Sequence, residues 1–193
     1  MIIKNCLAQS RFSTKHGFTL LEVLVTLIVL SVGLLSIAGL KVVSLRTSHS
    51  AYMRSQATGF ANDMIDRMRA NSDGVALWAY DQPTRSGSAG TKEEDCELNA
   101  GCDPNEMAAH DLFIWNDAIA AVLPNGFGMV CIDSVQDSSV PTKDAPLCTN
   151  IPKPSDSNES KATAKNAVYA VKIWWDDDQG ASDPKFFATS FRP

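Results

Sequence analysis

Between residues 18 and 40 the chain is apolar or small at almost every position, and Glu22 is the only charged residue among the 23. As a helix rising 1.5 Å per residue this run spans about 34 Å, enough to cross the hydrocarbon core of a bilayer. Beyond Lys41 the pattern changes. Apolar residues recur at Met53, Ala57, Phe60, Ala61, Met64 and Met68, the spacing of a helix that turns one stripe toward a core. Arg54, Asn62, Asp63, Asp66 and Arg67 fall on its other faces. Arg67 and Arg69 suit the negative end of a helix, and Asn71 and Gly74 are stop signals. One helix from residue 18 to about 71 is predicted, roughly 80 Å long. No proline interrupts it; Gly33 and Gly39 are its weak points, at about 1 kcal/mol each relative to alanine. The same two residues would equally serve close helix contact in a membrane.

Downstream, residues 81–95 (DQPTRSGSAGTKEED) are polar and turn-rich and read as a loop. Met107, Ala108, Leu112, Trp115, Ile119 and Val122 repeat at helical spacing between Pro104 and Pro124, which predicts a short second helix. Residues 127–133 alternate like a strand, and 134–165 read as a long surface loop. The aromatic and β-branched run AVYAVKIWW at 167–175 is the strongest strand signal, with KFFATSF at 185–191 returning beside it. The expectation is α+β: a long N-terminal helix packed on a small antiparallel sheet, with a short second helix. Three strands on a helix are near the minimum for an independent fold. Trp174 and Trp175 point to opposite faces of their strand, so one is expected in the core and the other exposed.

Charge sharpens this picture. The formal net charge is −5, yet the first 17 residues carry Lys4, Arg11 and Lys15 and no acid, which leaves the remainder at −8. An acidic body argues against direct nucleic-acid binding. Cations ahead of an apolar run predict a cytoplasmic N-terminus and a translocated body. Five cysteines divide into Cys6 in the basic leader and Cys96, Cys102, Cys131 and Cys148 in the body. An even number behind an export signal favours disulfides. Three pairings are open; the local one, Cys96 with Cys102 and Cys131 with Cys148, is the expectation. Zinc is the rival, but C-x5-C and C-x16-C are not its spacing.

A secretory signal has a shorter apolar stretch followed by a small-residue cleavage site. Here the small residue, Gly17, precedes the run, so cutting there would remove the leader and keep the helix. The stretch KHGFTLLEVLVTLIVL resembles the class III signal of type IV pilins and type II secretion pseudopilins. That resemblance implies cleavage between Gly17 and Phe18 by a prepilin peptidase, N-methylation of Phe18, and Glu22 as the carboxylate used in assembly. The physics agrees. A charge central in a span costs about 2.5–3.5 kcal/mol, and a helix N-terminus returns only ~0.3–1 kcal/mol. A cationic partner closes the gap, and cleavage creates one in the amine of Phe18 on a neighbouring subunit. A glutamate that merely snorkels to the interface is the plain alternative.

The body stretches SQATGFANDMIDRMRAN, DLFIWNDAIAAVLPNGFGMVCID and VYAVKIWWDDD resemble the PilV family of type IV pilus modification proteins, minor pilins of Gram-negative bacteria. This implies a leader at 1–17, a transmembrane and assembly helix at 18–40, and a periplasmic pilin head at 41–193. Implied partners are other minor pilins, the major pilin, the prepilin peptidase and the inner-membrane assembly platform, with residence in the inner membrane and then the pilus. No cofactor is expected. A type II secretion pseudopilin and a membrane-tethered adhesin or binding module are the alternatives. Asp176, Asp177 and Asp178 cluster as a calcium site would, but without its alternating pattern, and a solvated turn accounts for them. His49 and His110 have no partner in a motif and are assigned ordinary surface or helix-end roles. No G-x-S-x-G, P-loop or H-E-x-x-H occurs, so no catalysis is expected.

Overall fold

The computed structural model describes residues 17–98, 101–133, 141–142, 144–148, 157–177 and 184–193. Helix α1 (Leu20–Ala70) is 51 residues long and runs unbroken through Gly33 and Gly39. The chain divides into two compact units between Thr47 and Ser48, beyond the end of the apolar run. In the first unit every described side chain is exposed, and the helix is long and apolar enough to cross a membrane.

The second unit starts with the amphipathic part of α1, which buries Met53, Ala57, Ala61, Met64, Ile65 and Met68. Asn71 then caps a short α2 (Ser72–Ala76), its side chain accepting from the Gly74 amide at 3.0 Å. Next come α3 (Arg85–Ser88), a 3-10 turn at Glu94–Glu97, and α4 (Pro104–Val122). Helix α4 opens on a reciprocal cap. Asp103 Oδ1 accepts from the Asn105 and Glu106 amides, Glu106 Oε2 accepts from the Asp103 amide, and Pro104 fills the first helical position. Strands β1 (Phe127–Ile132), β2 (Tyr169–Trp175) and β3 (Lys185–Phe191) form an antiparallel sheet in that order, with α5 (Ser157–Asn166) between β1 and β2. The register sets Val130 opposite Val171 and Ile173 opposite Phe187.

One sheet face carries Val130, Ile132, Tyr169, Val171, Ile173 and Trp175 into a core shared with the α1 stripe and with Leu112, Trp115 and Ile119 of α4. Trp115 is fully buried, and its indole N–H donates to the Phe60 carbonyl at 2.8 Å, joining α4 to α1. The outer edge of its ring packs against Gly128, where an added Cβ would overlap Trp115 Cη2 and Cζ3 and approach Ile119 Cδ1 to 2.7 Å. Gly128→Ala is therefore expected to cost about 1–3 kcal/mol through overpacking. Chemical denaturation of the detergent-solubilised chain checks this; an unchanged midpoint would contradict it.

Several expectations are corrected. Trp174 and Trp175 are both buried, because residues 141–142 and 144–148 lie across the second face of the sheet. Trp174 donates from Nε1 to the Pro141 carbonyl at 3.0 Å. The stretch 134–165 is not all loop, since α5 occupies its end. That helix is polar, with Ala164 as its buried contact, and it packs beside α2 without an apolar stripe to betray it. The loop read at 81–95 holds α3 and the start of the 3-10 turn. Val122 is exposed at the last turn of α4, while polar Asp111 and His110 are buried instead.

Candidate assembly segment

Gly17 and Phe18 precede the first helical turn, and both are exposed. Thr19 starts the helix. Its carbonyl accepts from the Glu22 and Val23 amides, and its Oγ1 accepts from the Glu22 amide at 3.2 Å. Sequence reading passed over Thr19, although T-x-x-E is the signature of such a cap. Glu22 thus sits in the first turn, where unpaired amides and the helix dipole favour a carboxylate.

Within the apolar run the hydroxyls beyond Thr19 are satisfied by the helix itself. Thr26, Ser31 and Ser36 each donate to a carbonyl three or four residues back, at 2.8–3.0 Å. A helix whose hydroxyls close on its own backbone offers an almost wholly apolar surface, as a lipid or helix-packed environment requires. The Glu22 carboxylate is the exception. Among the described residues it makes no side-chain hydrogen bond or ion pair.

In the second unit a group of polar side chains pairs across three helices. Arg67 bonds Asp63 at 2.9 Å and reaches the buried Asp111 of α4 at 3.1 Å. Asp111 also accepts from the Tyr80 hydroxyl, and Asn71 donates to Tyr80 Oη at 3.2 Å and to the Pro104 carbonyl at 2.8 Å. This cluster fastens the end of α1 to α2 and to the start of α4, so Arg67 does more than face the helix dipole. His110, assigned an ordinary surface or helix-end role, is buried within α4. Its Nδ1 accepts from the Glu93 amide at 3.3 Å and its Nε2 lies 3.8 Å from Glu97 Oε1. His49 is exposed on α1.

Two disulfides join Cys96 to Cys102 and Cys131 to Cys148. All four body cysteines are thereby removed as thiolate ligands for zinc. Asp176 accepts from Asn125 Nδ2 at 2.8 Å, and Asp178 of the same acidic run lies outside the described residues.

Tyr80 and Tyr169 are fully buried. Burial pushes both phenols well above the usual tyrosine pKa, helped at Tyr80 by the bond to Asp111 and at Tyr169 by the charge of Asp81. The folded chain keeps protons that the unfolded chain releases. Their contribution is intact below about pH 10 and is lost as pH rises from there toward the folded values. Above that pH, stability is expected to fall, and phenolate absorbance from these two residues should appear only with loss of circular dichroism. Ionisation of all three tyrosines with the fold intact would refute this.

Comparison with known families places these features. A prokaryotic N-terminal methylation motif matches residues 12–38, and a type IV pilin, Tt1218-like, matches residues 39–113. Over residues 39–113 the chain is similar to type IV pilins, and the motif before it is the one at which such subunits are methylated. The two matches abut, so together they take in the apolar segment, the amphipathic part of α1 and the first half of α4. The long helix, the three-stranded antiparallel sheet and the added short helices are those of the type IV pilin fold. Pilins are structural subunits, and the exposed apolar helix fits membrane anchoring and pilus assembly. No match is found among curated proteins or among solved structures.

Proposed function

We propose that this pilin is a minor subunit of a type IV pilus, of the PilV kind, acting in the minor-pilin complex that primes or modifies assembly. The prepilin peptidase cuts between Gly17 and Phe18 and Phe18 is N-methylated. Before assembly the chain sits in the inner membrane by residues 18–40, with its N-terminus cytoplasmic and its head periplasmic. It then joins other minor pilins and the major pilin at the assembly platform. Glu22 docks on the Phe18 amine of a neighbouring subunit.

The observation that carries this reading is the singular state of Glu22. It is the one charged group on a helix segment whose hydroxyls are internally closed, and it lies four residues past the proposed new N-terminus. Such a group needs a cation from outside its own helix once water is excluded.

Mass spectrometry of the mature chain from sheared surface fibres tests the proposal. A first residue Phe18 bearing one methyl group is expected. A chain that still begins at Met1 would refute the processing step. A processed chain absent from surface fibres would point instead to a type II secretion pseudopilin.

A further inference from the structure

The two edges of the sheet are finished differently. Along the free side of β1, each of three successive outward-facing residues has one backbone group bonded. Asn116 Oδ1 accepts from the Gly128 amide at 2.8 Å, the Gln82 amide donates to the Val130 carbonyl at 3.0 Å, and Asp81 Oδ1 accepts from the Ile132 amide at 3.0 Å. These bonds also fix which backbone groups face which way. Residues 128, 130 and 132 point out of the sheet, so 127, 129 and 131 bond β2. Their partners Trp174, Lys172 and Ala170 face β1, and by alternation Tyr169, Val171, Ile173 and Trp175 face β3. Through the register, Lys185, Phe187, Thr189 and Phe191 complete that ladder. The amides and carbonyls of Phe186, Ala188 and Ser190 are left pointing outward, and among the described residues nothing pairs with them.

An unpaired edge is usually blunted by proline, a bulge or an inward-pointing charge. None of these interrupts β3, and its centre, Ala188, is small and exposed. Residues 184–193 hold Lys185 and Arg192 and no acid, a local +2 on a body whose net charge is strongly negative. Both cations are exposed and make no ion pair among the described residues. Their placement at the two ends of the strand disfavours pairing with a second copy. An antiparallel β3 pair centred on Ala188 would bring Lys185 of each copy beside Phe191 and Arg192 of the other. A parallel pair would set like charge against like.

We propose that the open edge of β3 is a strand-addition site for a different polypeptide, an extended segment of about five to seven residues with carboxylates at both ends. Backbone bonds to Phe186, Ala188 and Ser190 supply the affinity, and Lys185 and Arg192 select the acidic ends. The inference rests on the sheet alone and does not depend on the chain's place in a fibre.

A test uses the full-length chain in detergent and two labelled peptides, Asp-Thr-Val-Thr-Val-Thr-Glu and the same sequence with lysine at both ends, read by fluorescence anisotropy. The acidic-ended peptide should bind at least about tenfold more tightly, and should slow hydrogen exchange at the amides of residues 186, 188 and 190. Ala188→Pro removes an outward N–H without touching the ladder to β2, a position where proline is tolerated. It should weaken binding about tenfold or more while leaving the thermal midpoint in place. Lys185→Glu with Arg192→Glu should reverse the preference between the peptides, and it decides the matter should the proline variant fail to fold. Equal affinity for both peptides, an unaffected Ala188→Pro variant, slowed exchange elsewhere than β3, or no binding at about 1 mM would each overturn the proposal.

Discussion

Glu22→Gln is expected to leave membrane insertion and cleavage after Gly17 intact, while lowering the amount of the chain in purified fibres at least about tenfold. Glutamine keeps the size and hydrogen-bonding capacity of the side chain, and it suits the first helical turn nearly as well, since the Thr19 cap bonds the Glu22 backbone rather than its carboxylate. What it removes is the charge. On the proposed docking, an incoming subunit without this carboxylate has no reason to register its N-terminal amine against this turn, and the apolar surfaces of α1 can slide past one another because apolar contact is non-directional. Quantitative immunoblotting of sheared fibres against membranes reads the effect, and the N-terminal residue of the membrane pool reads cleavage. Normal fibre levels with normal cleavage would leave Glu22 as an interfacial snorkeller. Glu22→Asp is the companion variant. It preserves charge but withdraws it by one methylene, and should fall between wild type and glutamine.

The α1 stripe, the second helix and the three strands were legible because each repeats apolar residues at the period of its own backbone. Met53 to Met68 and Leu112 to Ile119 announce a buried helix face, and five of the seven residues of 169–175 are aromatic or β-branched. Features that depend on a second segment arriving from elsewhere were not legible. Nothing local in SNESKATAKN says helix, because its order comes from packing Ala164 rather than from a stripe. Trp174 looked like a candidate for exposure because period-two alternation assumes one wet face, and the segment at 141–148 dries the other. Lys172, in the middle of the central strand, reads as a solvent-facing residue for the same reason. Asp111 flanks the buried stripe of α4 and His110 lies on the face away from it, yet both are buried because their partners Arg67, Tyr80 and Glu93 arrive from segments remote in sequence. In the N-terminal segment the balance is reversed. There Gly17, Phe18 and Glu22 stand out by local sequence, and the T-x-x-E spacing marks Thr19 as the cap.

Lys172 makes the strongest stability prediction. Its side chain is only 3% exposed, yet its ammonium is fully satisfied: Nζ donates to Asp133 Oδ2 at 2.7 Å and to the Pro146 and Leu147 carbonyls at 2.8 and 3.2 Å. One carboxylate and two strap carbonyls thus hold a charge inside the sheet, and Cys131–Cys148 ties the same strap to β1. Asp133→Ala strips away the one countercharge Lys172 meets among the described residues and leaves the ammonium buried. Breaking a buried pair from one side costs about 3–5 kcal/mol, a large part of the roughly 5–15 kcal/mol that holds a typical domain. Lys172→Met removes the charge itself and keeps an unbranched side chain of similar length, while the Asp133 side chain, 19% exposed, can turn to water. The lysine variant should therefore be the milder of the two, and Asp133→Ala combined with Lys172→Met should recover most of what Asp133→Ala alone loses. Urea denaturation of the four proteins closes the double-mutant cycle. A double variant as unstable as the sum of the single losses would mean that the two residues act independently, and that the strap is held to the sheet by its disulfide and by Trp174 rather than through this amine.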